Sequence, residues 1–277
     1  MDTKNTATAF RALHRQGLFV MPNPWDLGSA RLLQSLGFPA VATTSAGLAF
    51  AAGRPDGAIG WAPTRAHVQA LVAGLELPVS VDLENGMADD AETLAAHYAE
   101  LAALGAAGAS IEDTRGAGAP GQFEVTGVAE AAERVRIAVQ AAHARNADFV
   151  LTARAENFIV GRDDLADTIA RLQAYQAAGA DVLFAPGLRR LADVQTVLRH
   201  VDRPLNVLAG LPGSDFGVAE LAAAGVRRVS VGGSLARAAF GALQRAAQEI
   251  LQHGRFDYTA QALPGAELNA LFGRFNP

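Results

Sequence analysis

Short apolar runs alternate with longer amphipathic stretches along almost the whole chain. Each apolar run ends at a Gly, Pro or Asp turn, and the Ala-rich stretch that follows has the spacing of a helix. This pattern predicts eight strands, at 18–22, 40–44, 79–83, 109–113, 149–154, 181–186, 204–208 and 228–232. It predicts eight helices after them, at 26–36, 63–74, 88–104, 127–144, 163–178, 189–199, 215–224 and 234–252.

The predicted strands are mostly apolar at successive positions, without a regular polar face, which is typical of parallel strands buried on both faces. Eight strand–helix units predict the α/β class and a closed (β/α)8 barrel of the TIM type. An open dinucleotide-binding sheet would need a G-x-G-x-x-G loop after the first strand, and MPNPWDLGSA lacks one. We therefore expect a single barrel domain over residues 1–277. Its tail, about 255–277, has a short helix near 264–272 and is available to pack on a neighbouring subunit.

Composition narrows the functional classes. The chain has 277 residues, of which 50% are hydrophobic and 18% charged, enough for one large buried core. A net charge of −5 and the lack of a basic run count against nucleic-acid binding. No apolar stretch approaches the roughly 18 residues of a membrane span. With no cysteine, disulfides and thiolate chemistry are excluded, and a polar N-terminus without the look of a secretory signal predicts a cytoplasmic protein.

Acidic residues fall at the ends of successive predicted strands. Asp82 and Glu84 end the third strand, Glu112 ends the fourth, and Asp56 lies in a Gly/Pro turn upstream. The carboxyl ends of barrel strands carry the catalytic groups, and a carboxylate is costly to bury unless it is paired or coordinated. Strand alternation predicts that Asp82 and Glu84 point the same way. These acids predict an oxygen-ligand site for Mg²⁺, with Mn²⁺ as an alternative.

Arg154 ends the strand that follows, and a metal beside a fixed guanidinium is a receptor for a small dianionic acid. The alternative is that Arg154 only pairs with Glu112 inside the barrel. All six histidines fall in predicted helices or at their ends, so a His base or a Ser-His-Asp triad is not expected. Acids, Arg154 and metal suit the stabilisation of an enolate, and the turn at 44–47 offers backbone N–H groups to a carboxylate.

An ordered series of motifs carries a family resemblance. The segments are NPWDLGSARLL, TTSAGLAFAAGRPDG, PVSVDLENG, GASIEDT, LTARAENFIVG and RLQAYQAAGADVLFAPG. In these the chain resembles the isocitrate lyase/phosphoenolpyruvate mutase superfamily. The resemblance implies a (β/α)8 barrel, a homo-oligomer (dimer or tetramer) that exchanges a C-terminal helix, and Mg²⁺ at the strand ends. It also implies C–C or P–C bond chemistry on 2-oxo acids or their enols.

The resemblance assigns a role to each matching residue. The metal-site acids, acting mostly through coordinated water, are Asp82, Glu84 and Glu112, and Asp56 hydrogen-bonds to that shell. Arg154 holds the carboxylate or phosphonate of a small-molecule substrate, so that Arg154, Glu112 and Asp56 are the expected catalytic residues. The remaining substrate-binding residues are Ser45, Ala46 and Gly47, which cradle the 2-oxo carboxylate, and Asn206, a polar wall contact.

One loop departs from the family pattern. Isocitrate and methylisocitrate lyases carry a Lys-Lys-Cys-Gly-His loop, whereas this chain has TRGAGAPGQFEVTG at 114–127, without Cys, Lys or Asn. This counts against isocitrate cleavage and against phosphoryl transfer. We expect a Mg²⁺-dependent lyase or decarboxylase of a small 2-oxo or 2-hydroxy dicarboxylic acid, because decarboxylation needs no acid in the bond-breaking step. P–C chemistry on phosphonopyruvate or carboxyphosphonoenolpyruvate, and a barrel that only binds a metabolite, remain alternatives.

Overall fold

The computed structural model describes residues 3–116 and 123–275. Eight parallel strands form one sheet, in the order β1-β10-β9-β8-β7-β4-β3-β2. They are β1 (Phe19–Met21), β2 (Val41–Ala42), β3 (Val79–Val81), β4 (Gly108–Glu112), β7 (Val150–Arg154), β8 (Val182–Phe184), β9 (Leu205–Leu208) and β10 (Arg228–Ser230). A separate antiparallel hairpin joins β5 (Thr114–Gly116) to β6 (Phe123–Val125).

The two end strands of the sheet meet and nearly close it into a barrel. The Ala42 N–H donates to the Pro22 carbonyl at 3.0 Å, which links β2 to the residue that follows β1. Every other neighbouring pair is joined by a parallel ladder. The predicted (β/α)8 fold, with its eight strands, is confirmed.

Helices alternate with the barrel strands as expected. The predicted ones are α2 (Leu27–Ser35), α4 (Trp61–Gly74), α5 (Ala91–Leu104), α6 (Val128–Arg145), α7 (Leu165–Ala177), α8 (Leu191–Leu198), α9 (Val218–Ala224) and α10 (Ser234–His253). Asp26, Asp90 and Asp164 begin three of them, each accepting a hydrogen bond from the backbone N–H three residues on. The short C-terminal helix is α11 (Gly265–Gly273), which follows a 3₁₀ helix, Asp257–Gln261.

Four elements of the described residues fall outside the predicted strand and helix set. They are α1 (Thr3–Leu13), α3 (Ser45–Ala51), the 3₁₀ helix Asp257–Gln261 and the β5–β6 hairpin, which lies within the loop at 114–127, called the lid from here on. The lid residues 117–122, including Gln122, lie outside the described residues. Arg115 pairs with Glu124 across the hairpin at 2.8 Å.

Helix α1 covers the amino-terminal ends of the strands. Arg11 donates to the carbonyl of Phe149 and pairs with Asp181, residues that precede β7 and β8. Phe10 is fully buried and packs edge to face against Phe19. Helix α1 therefore lies at the end of the barrel opposite the strand ends that carry the predicted site residues.

Most of the core lies between the sheet and the surrounding helices. Its largest fully buried side chains include Tyr98, Tyr175, Phe149, Leu101 and Leu172. The Tyr98 hydroxyl donates to the carbonyl of Ser110 at 2.7 Å, so this buried polar group is satisfied. Strands β3, β4 and β7 pack against this outer shell, and Asp82, Glu112 and Arg154 lie at their carboxyl ends.

The C-terminal helices are mostly outside this core. In α10 only Ala236 is buried, and Leu251 is 84% exposed. Helix α11 lies next to α2 of the same chain, and Arg31 stacks over the Phe275 ring at 5.0 Å. Exchange of this tail between subunits stays a prediction. No helix in the described ranges is both long and apolar enough to cross a membrane.

Candidate active site

Three predicted site residues meet at the carboxyl ends of neighbouring strands. Glu112 is the last residue of β4 and is in register with Arg154, the last residue of β7. Asp82 directly follows β3, the strand on the other side of β4. The register of the barrel therefore places two acids and one guanidinium side by side.

Arg154 is enclosed by carboxylates. Its Nη1 lies 2.8 Å from Asp82 Oδ1 and 3.1 Å from Glu112 Oε2. Its Nε donates to Glu156 Oε1 at 2.8 Å. These acids hold the pKa of Arg154 well above its usual range, against the opposing effect of burial. The pairing with Glu112 that the sequence left open is present, and Arg154 also lines the central cavity.

Asp82 joins the strand ends to the start of α3. Its Oδ2 accepts hydrogen bonds from the backbone N–H and the hydroxyl of Ser45, both at 3.0 Å. Its own N–H donates to the hydroxyl of Thr43 at 2.8 Å. Both carboxylate oxygens of Asp82 are thus engaged, so its position is fixed before any ligand arrives.

Glu84 has an unusual backbone and an unsatisfied side chain. Strand β3 ends at Val81, and Glu84 adopts a left-handed conformation with φ of 51°. This turn, and not the strand alternation that we used for the prediction, sets the direction of its side chain. Its Oε1 is buried without a hydrogen-bond partner among the described residues. Burial, then Asp82 and Glu112, raise the pKa of Glu84 to about 8.

Glu112 and Asp56 also have raised pKa values. Burial raises the pKa of Glu112, with Arg154 opposing it, and the Thr114 hydroxyl donates to its Oε1 at 2.6 Å. Asp56 lies at the exposed rim of the cavity, where partial burial and then the charge of Asp82 raise its pKa. Carboxylates with raised pKa values are groups whose negative charge lacks full compensation.

The donor set fits a divalent cation held partly through water. Within the described ranges, no three His, Cys, Asp or Glu side chains are placed to hold an ion by direct contact. Mg²⁺ commonly keeps several waters and uses only one or two protein carboxylates directly. The unpartnered Oε1 of Glu84, beside Asp82 and Glu112, is an oxygen donor of the required kind. We therefore take the acids to be compatible with Mg²⁺ or Mn²⁺.

A cavity of about 230 Å³ opens beside these acids. The predicted site residues that line it are Ser45, Ala46, Asp56, Asp82, Arg154 and Asn206; Gly47, Glu84 and Glu112 are not among its lining residues. The Gly47 N–H donates to the Thr44 hydroxyl at 3.2 Å, as part of the cap of α3. Asn206 is buried, with its Nδ2 donating to the Ser230 hydroxyl at 2.9 Å. Substrate contact by Gly47 and Asn206 stays a prediction.

Several residues that the prediction did not select also shape the cavity. Glu156 is buried in its wall, and burial raises its pKa to about 8 even though Arg154 pairs with it. Its backbone N–H donates to Asp113 Oδ1 at 2.9 Å. Asp113 in turn accepts hydrogen bonds from Arg171 and from the Tyr175 hydroxyl, so the residue that fixes the Glu156 backbone is itself held in place. The position of Glu156 two residues after Arg154 was the only signal available in the sequence.

Arg228 is the second missed residue, and it lies deep in the cavity lining. In sequence it belongs to an Arg-Arg pair at the start of a strand, a place usually exposed to solvent. Asn23 is the third, and its Oδ1 accepts from the N–H groups of Val231 and Gly232, both at 2.9 Å. Asn23 thereby ties the end of β1 to the end of β10.

An acid-rich cavity at the carboxyl ends of a (β/α)8 barrel is the arrangement of an enzyme active site. The chain matches the family model for phosphoenolpyruvate phosphomutase over residues 10–251. It therefore belongs to this family, within the isocitrate lyase/phosphoenolpyruvate mutase superfamily, and it is an enzyme of the lyase type.

Similar proteins agree with this placement. A crystal structure from Burkholderia cenocepacia J2315, named only by class as a lyase/mutase, has 50% identity and a TM-score of 0.93, covering 98% of this chain and 97% of that one. The 2-methylisocitrate lyase of Escherichia coli K12 is 30% identical, covering 90% of this chain and 84% of the relative. The oxaloacetate decarboxylase of Paraburkholderia xenovorans LB400 is 29% identical, and the match covers 91% of this chain and 83% of that relative.

Proposed function

We propose that this protein is a Mg²⁺-dependent lyase that cleaves a C–C bond in a small 2-oxo or 2-hydroxy dicarboxylic acid, with decarboxylation as the favoured reaction. The observation that carries the proposal is the imbalance of charge around Arg154. Five carboxyl groups lie in the neighbourhood of this single guanidinium, three of them in direct contact with it, and four of the five have pKa values raised by burial and mutual repulsion. The five are Asp56, Asp82, Glu84, Glu112 and Glu156.

This surplus of acid supports a cation site. The residues that would hold the ion are Asp82, Glu84 and Glu112, with Asp56 at the rim. A bound divalent cation supplies positive charge beside the 2-oxo group, which stabilises the negative charge that develops when the C–C bond breaks. Ser45 and Ala46 line the cavity at the start of α3, where they would orient the carboxylate next to that oxo group.

The loss of CO₂ leaves a carbanion or enolate that must gain a proton. Glu156 lies in the cavity wall, where burial raises the pKa of its carboxyl group to about 8 against the opposing charge of Arg154, so its protonated form persists to a higher pH than in an ordinary glutamate. We propose that this protonated form returns a proton to the substrate carbon and is restored from solvent, a role that the missing Cys of the superfamily loop does not fill here. Arg154, fixed by its carboxylate partners, would hold the substrate anion at the same side of the cavity.

A second activity, P–C bond chemistry, is favoured by the match to the phosphomutase family model. The same Arg154 and the same acids suit a phosphonate as well as a carboxylate. Against it stands the lid, in which the described stems carry Arg115 but neither Lys nor Asn. A barrel that only binds a metabolite would share the cation site but would not turn over any substrate.

Turnover of a small acid panel tests these proposals. The panel holds oxaloacetate, 2-methylisocitrate, isocitrate, dimethylmalate and phosphonopyruvate, each with Mg²⁺ and with EDTA. Turnover is followed by release of pyruvate, by release of glyoxylate for isocitrate, and by release of pyruvate or phosphoenolpyruvate for phosphonopyruvate. EDTA-sensitive turnover of oxaloacetate supports the decarboxylase, and turnover of phosphonopyruvate alone supports P–C chemistry instead. No turnover, with measurable Mg²⁺ and oxalate binding, would favour the binding barrel. Metal-independent turnover would contradict the cation site.

We further propose that the protein is a homo-oligomer, a dimer or tetramer, assembled through α10. That helix exposes a row of large apolar side chains, which include Phe240, Leu243 and Leu251. Light scattering on the purified chain should give a mass above the 28.7 kDa of one subunit. Leu243→Asp should lower that mass. A wild-type chain with the mass of one subunit would contradict the proposal. A cytoplasmic location stays a prediction.

A further inference from the structure

The interior of this barrel is unusually polar below the predicted site. Barrel interiors are normally filled by layers of Val, Ile and Leu side chains. Here the cavity continues inward along small polar residues and reaches a guanidinium. These lining residues are Ser80, Ser110, Thr152, Asn206, Ser230 and Arg228. Arg228 is only 2% exposed, so its charge lies inside the protein.

Neutral groups surround the Arg228 guanidinium. Its Nε donates to Asn206 Oδ1 at 3.0 Å, and its Nη2 donates to the Thr152 hydroxyl at 2.9 Å. Its Nη1 lies 3.3 Å from His14 Nε2. The other ring nitrogen, His14 Nδ1, is 2.9 Å from the Phe10 carbonyl and must donate to it, which leaves Nε2 as the acceptor. Burial, then Arg228, lower the pKa of His14 to about 3, so the ring is neutral.

Arg228 differs from the other buried arginines in having no acid beside it. Arg154 pairs with three carboxylates and Arg171 with two, whereas no ion pair of Arg228 occurs within the described ranges. Burial alone lowers the pKa of Arg228, to about 9, and no nearby acid opposes it. A buried charge without a counter-charge is strongly unfavourable. Three of its five N–H groups have protein acceptors, so two remain for an anion.

We propose that Arg228 is a second anion-binding point of the cavity and receives the distal carboxylate of a small dicarboxylic acid. This inference rests on the proposed function, because that function places the 2-oxo end of the same ligand beside Asp82 and Arg154. Thr152, which contacts Arg228, lies two residues before Arg154 on the same face of β7. Thr152 and Arg154 are thus offset by roughly 6–7 Å along the strand. The two arginines therefore meet the cavity at different depths, and a ligand of a few carbon atoms can extend between them.

This arrangement assigns Arg228 a role in specificity. A substrate with one carboxylate would leave the buried guanidinium uncompensated, and a dicarboxylate would neutralise it with charge-assisted hydrogen bonds. The enzyme should therefore prefer dicarboxylic acids over monocarboxylic acids of the same length. Asn206 is fixed by the same network, because its Oδ1 accepts from Arg228 and its Nδ2 donates to Ser230.

Calorimetric binding of two unreactive probes tests the proposal. Succinate and butyrate have the same number of carbons and differ by one carboxylate, and oxalate serves as a reporter of the metal end. With saturating Mg²⁺, the wild-type chain should bind succinate at least about tenfold more tightly than butyrate. Arg228→Gln should reduce that ratio to about twofold or less while leaving oxalate affinity unchanged. Arg228→Lys should keep part of the preference, and Thr152→Val, which retains the charge, should keep most of it.

Two outcomes would overturn the proposal. One is a wild-type chain that binds succinate no more tightly than butyrate, and the other is an Arg228→Gln variant that binds oxalate normally and still prefers succinate. If Arg228→Gln fails to fold, an undiminished preference in Arg228→Lys would count against the proposal and a reduced one would support it. Sulfate that binds in an Arg228-dependent way and is not displaced by succinate would identify a site for free inorganic anions instead. A wild-type chain that binds neither oxalate nor Mg²⁺ would instead refute the proposed function. Both measurements report binding and do not depend on turnover.

Discussion

Asp82 Oδ1 and Arg154 Nη1 lie 2.8 Å apart, and they join the ends of two strands that are not neighbours in the sheet. β4 lies between those two strands, and its Glu112 contacts the same Arg154 nitrogen at 3.1 Å. Asp82 is also the acid that holds Ser45 at the start of α3. One carboxylate thus connects the proposed cation site, the proposed anion receptor and the helix that starts beside the cavity.

Asp82→Asn should weaken Mg²⁺ binding by on the order of 100-fold, because it removes a charge but retains the size and one acceptor oxygen. Titration calorimetry with Mg²⁺ measures the effect. Asp89→Asn removes the same charge from an exposed position and is the matched control, for which we expect unchanged affinity. A folded Asp82→Asn variant with wild-type Mg²⁺ affinity would remove Asp82 from the cation site.

Arg154→Gln should destabilise the metal-free protein, in contrast to Asp82→Asn, whose expected effect is on Mg²⁺ binding. It leaves several buried carboxylates unpaired, so the free energy of unfolding without metal should fall by about 3–5 kcal/mol. Mg²⁺ should offset much of this loss, because the cation and the guanidinium neutralise the same acids. Oxalate binding should weaken even at saturating Mg²⁺.

Thermal unfolding with Mg²⁺ and with EDTA, together with oxalate titrations, separates these effects. Arg115→Gln, which removes an exposed arginine paired with Glu124, should change stability by less than about 1 kcal/mol. If Arg154→Gln lost stability equally with and without Mg²⁺ and bound oxalate normally, its role would be structural only.

The barrel was predictable from the sequence because its strands are buried on both faces. Largely apolar runs such as 149–154 and 181–186 mark where strands lie, and eight of them predict the fold class. Helix α3 was missed because its seven residues, SAGLAFA, follow β2 closely and have no polar face to mark a helical period. Its one local signal is Thr44, whose hydroxyl accepts from the Gly47 N–H.

The site was only partly predictable, for physical reasons that differ between residues. Asp82, Glu112 and Arg154 follow apolar runs directly, and parallel strands bring such positions together at one end of a barrel. The left-handed conformation at Glu84 was not predictable, because that position holds no glycine, the residue that usually marks a positive φ. Arg228 stands at the start of a strand beside Arg227, and only the register with Asn206 places it in the interior. Local pattern cannot supply that information, because it depends on the closed barrel.

Gly47→Ala should destabilise the protein by about 1–3 kcal/mol, because a methyl group has no room there. An added Cβ would lie 2.5 Å from Thr44 Cγ2 and 2.9 Å from Trp25 Cβ. Gly116→Ala is the control, since no atom of the described residues lies within 4 Å of its added Cβ. Chemical denaturation compares the two variants. Equal stability of both would mean that the start of α3 shifts easily, and would weaken the case for a rigid cradle at Ser45 and Ala46.

Glu156→Gln tests the proton donor of the proposed reaction. Burial raises the pKa of Glu156 to about 8, so the donor form of the carboxyl group is present below that pH and is lost as the pH rises through it. For any substrate that the wild type turns over, kcat should therefore fall above about pH 8.

The Gln side chain can still accept from Arg154 Nε, so KM and oxalate binding should stay within about twofold of the wild type. The value of kcat should drop by roughly 10²–10⁴-fold, as expected for loss of a general acid. The alkaline limb near pH 8 should also disappear from the residual activity. A variant that loses kcat but keeps the alkaline limb would show that Glu156 only positions Arg154. In that case water or another group must deliver the proton.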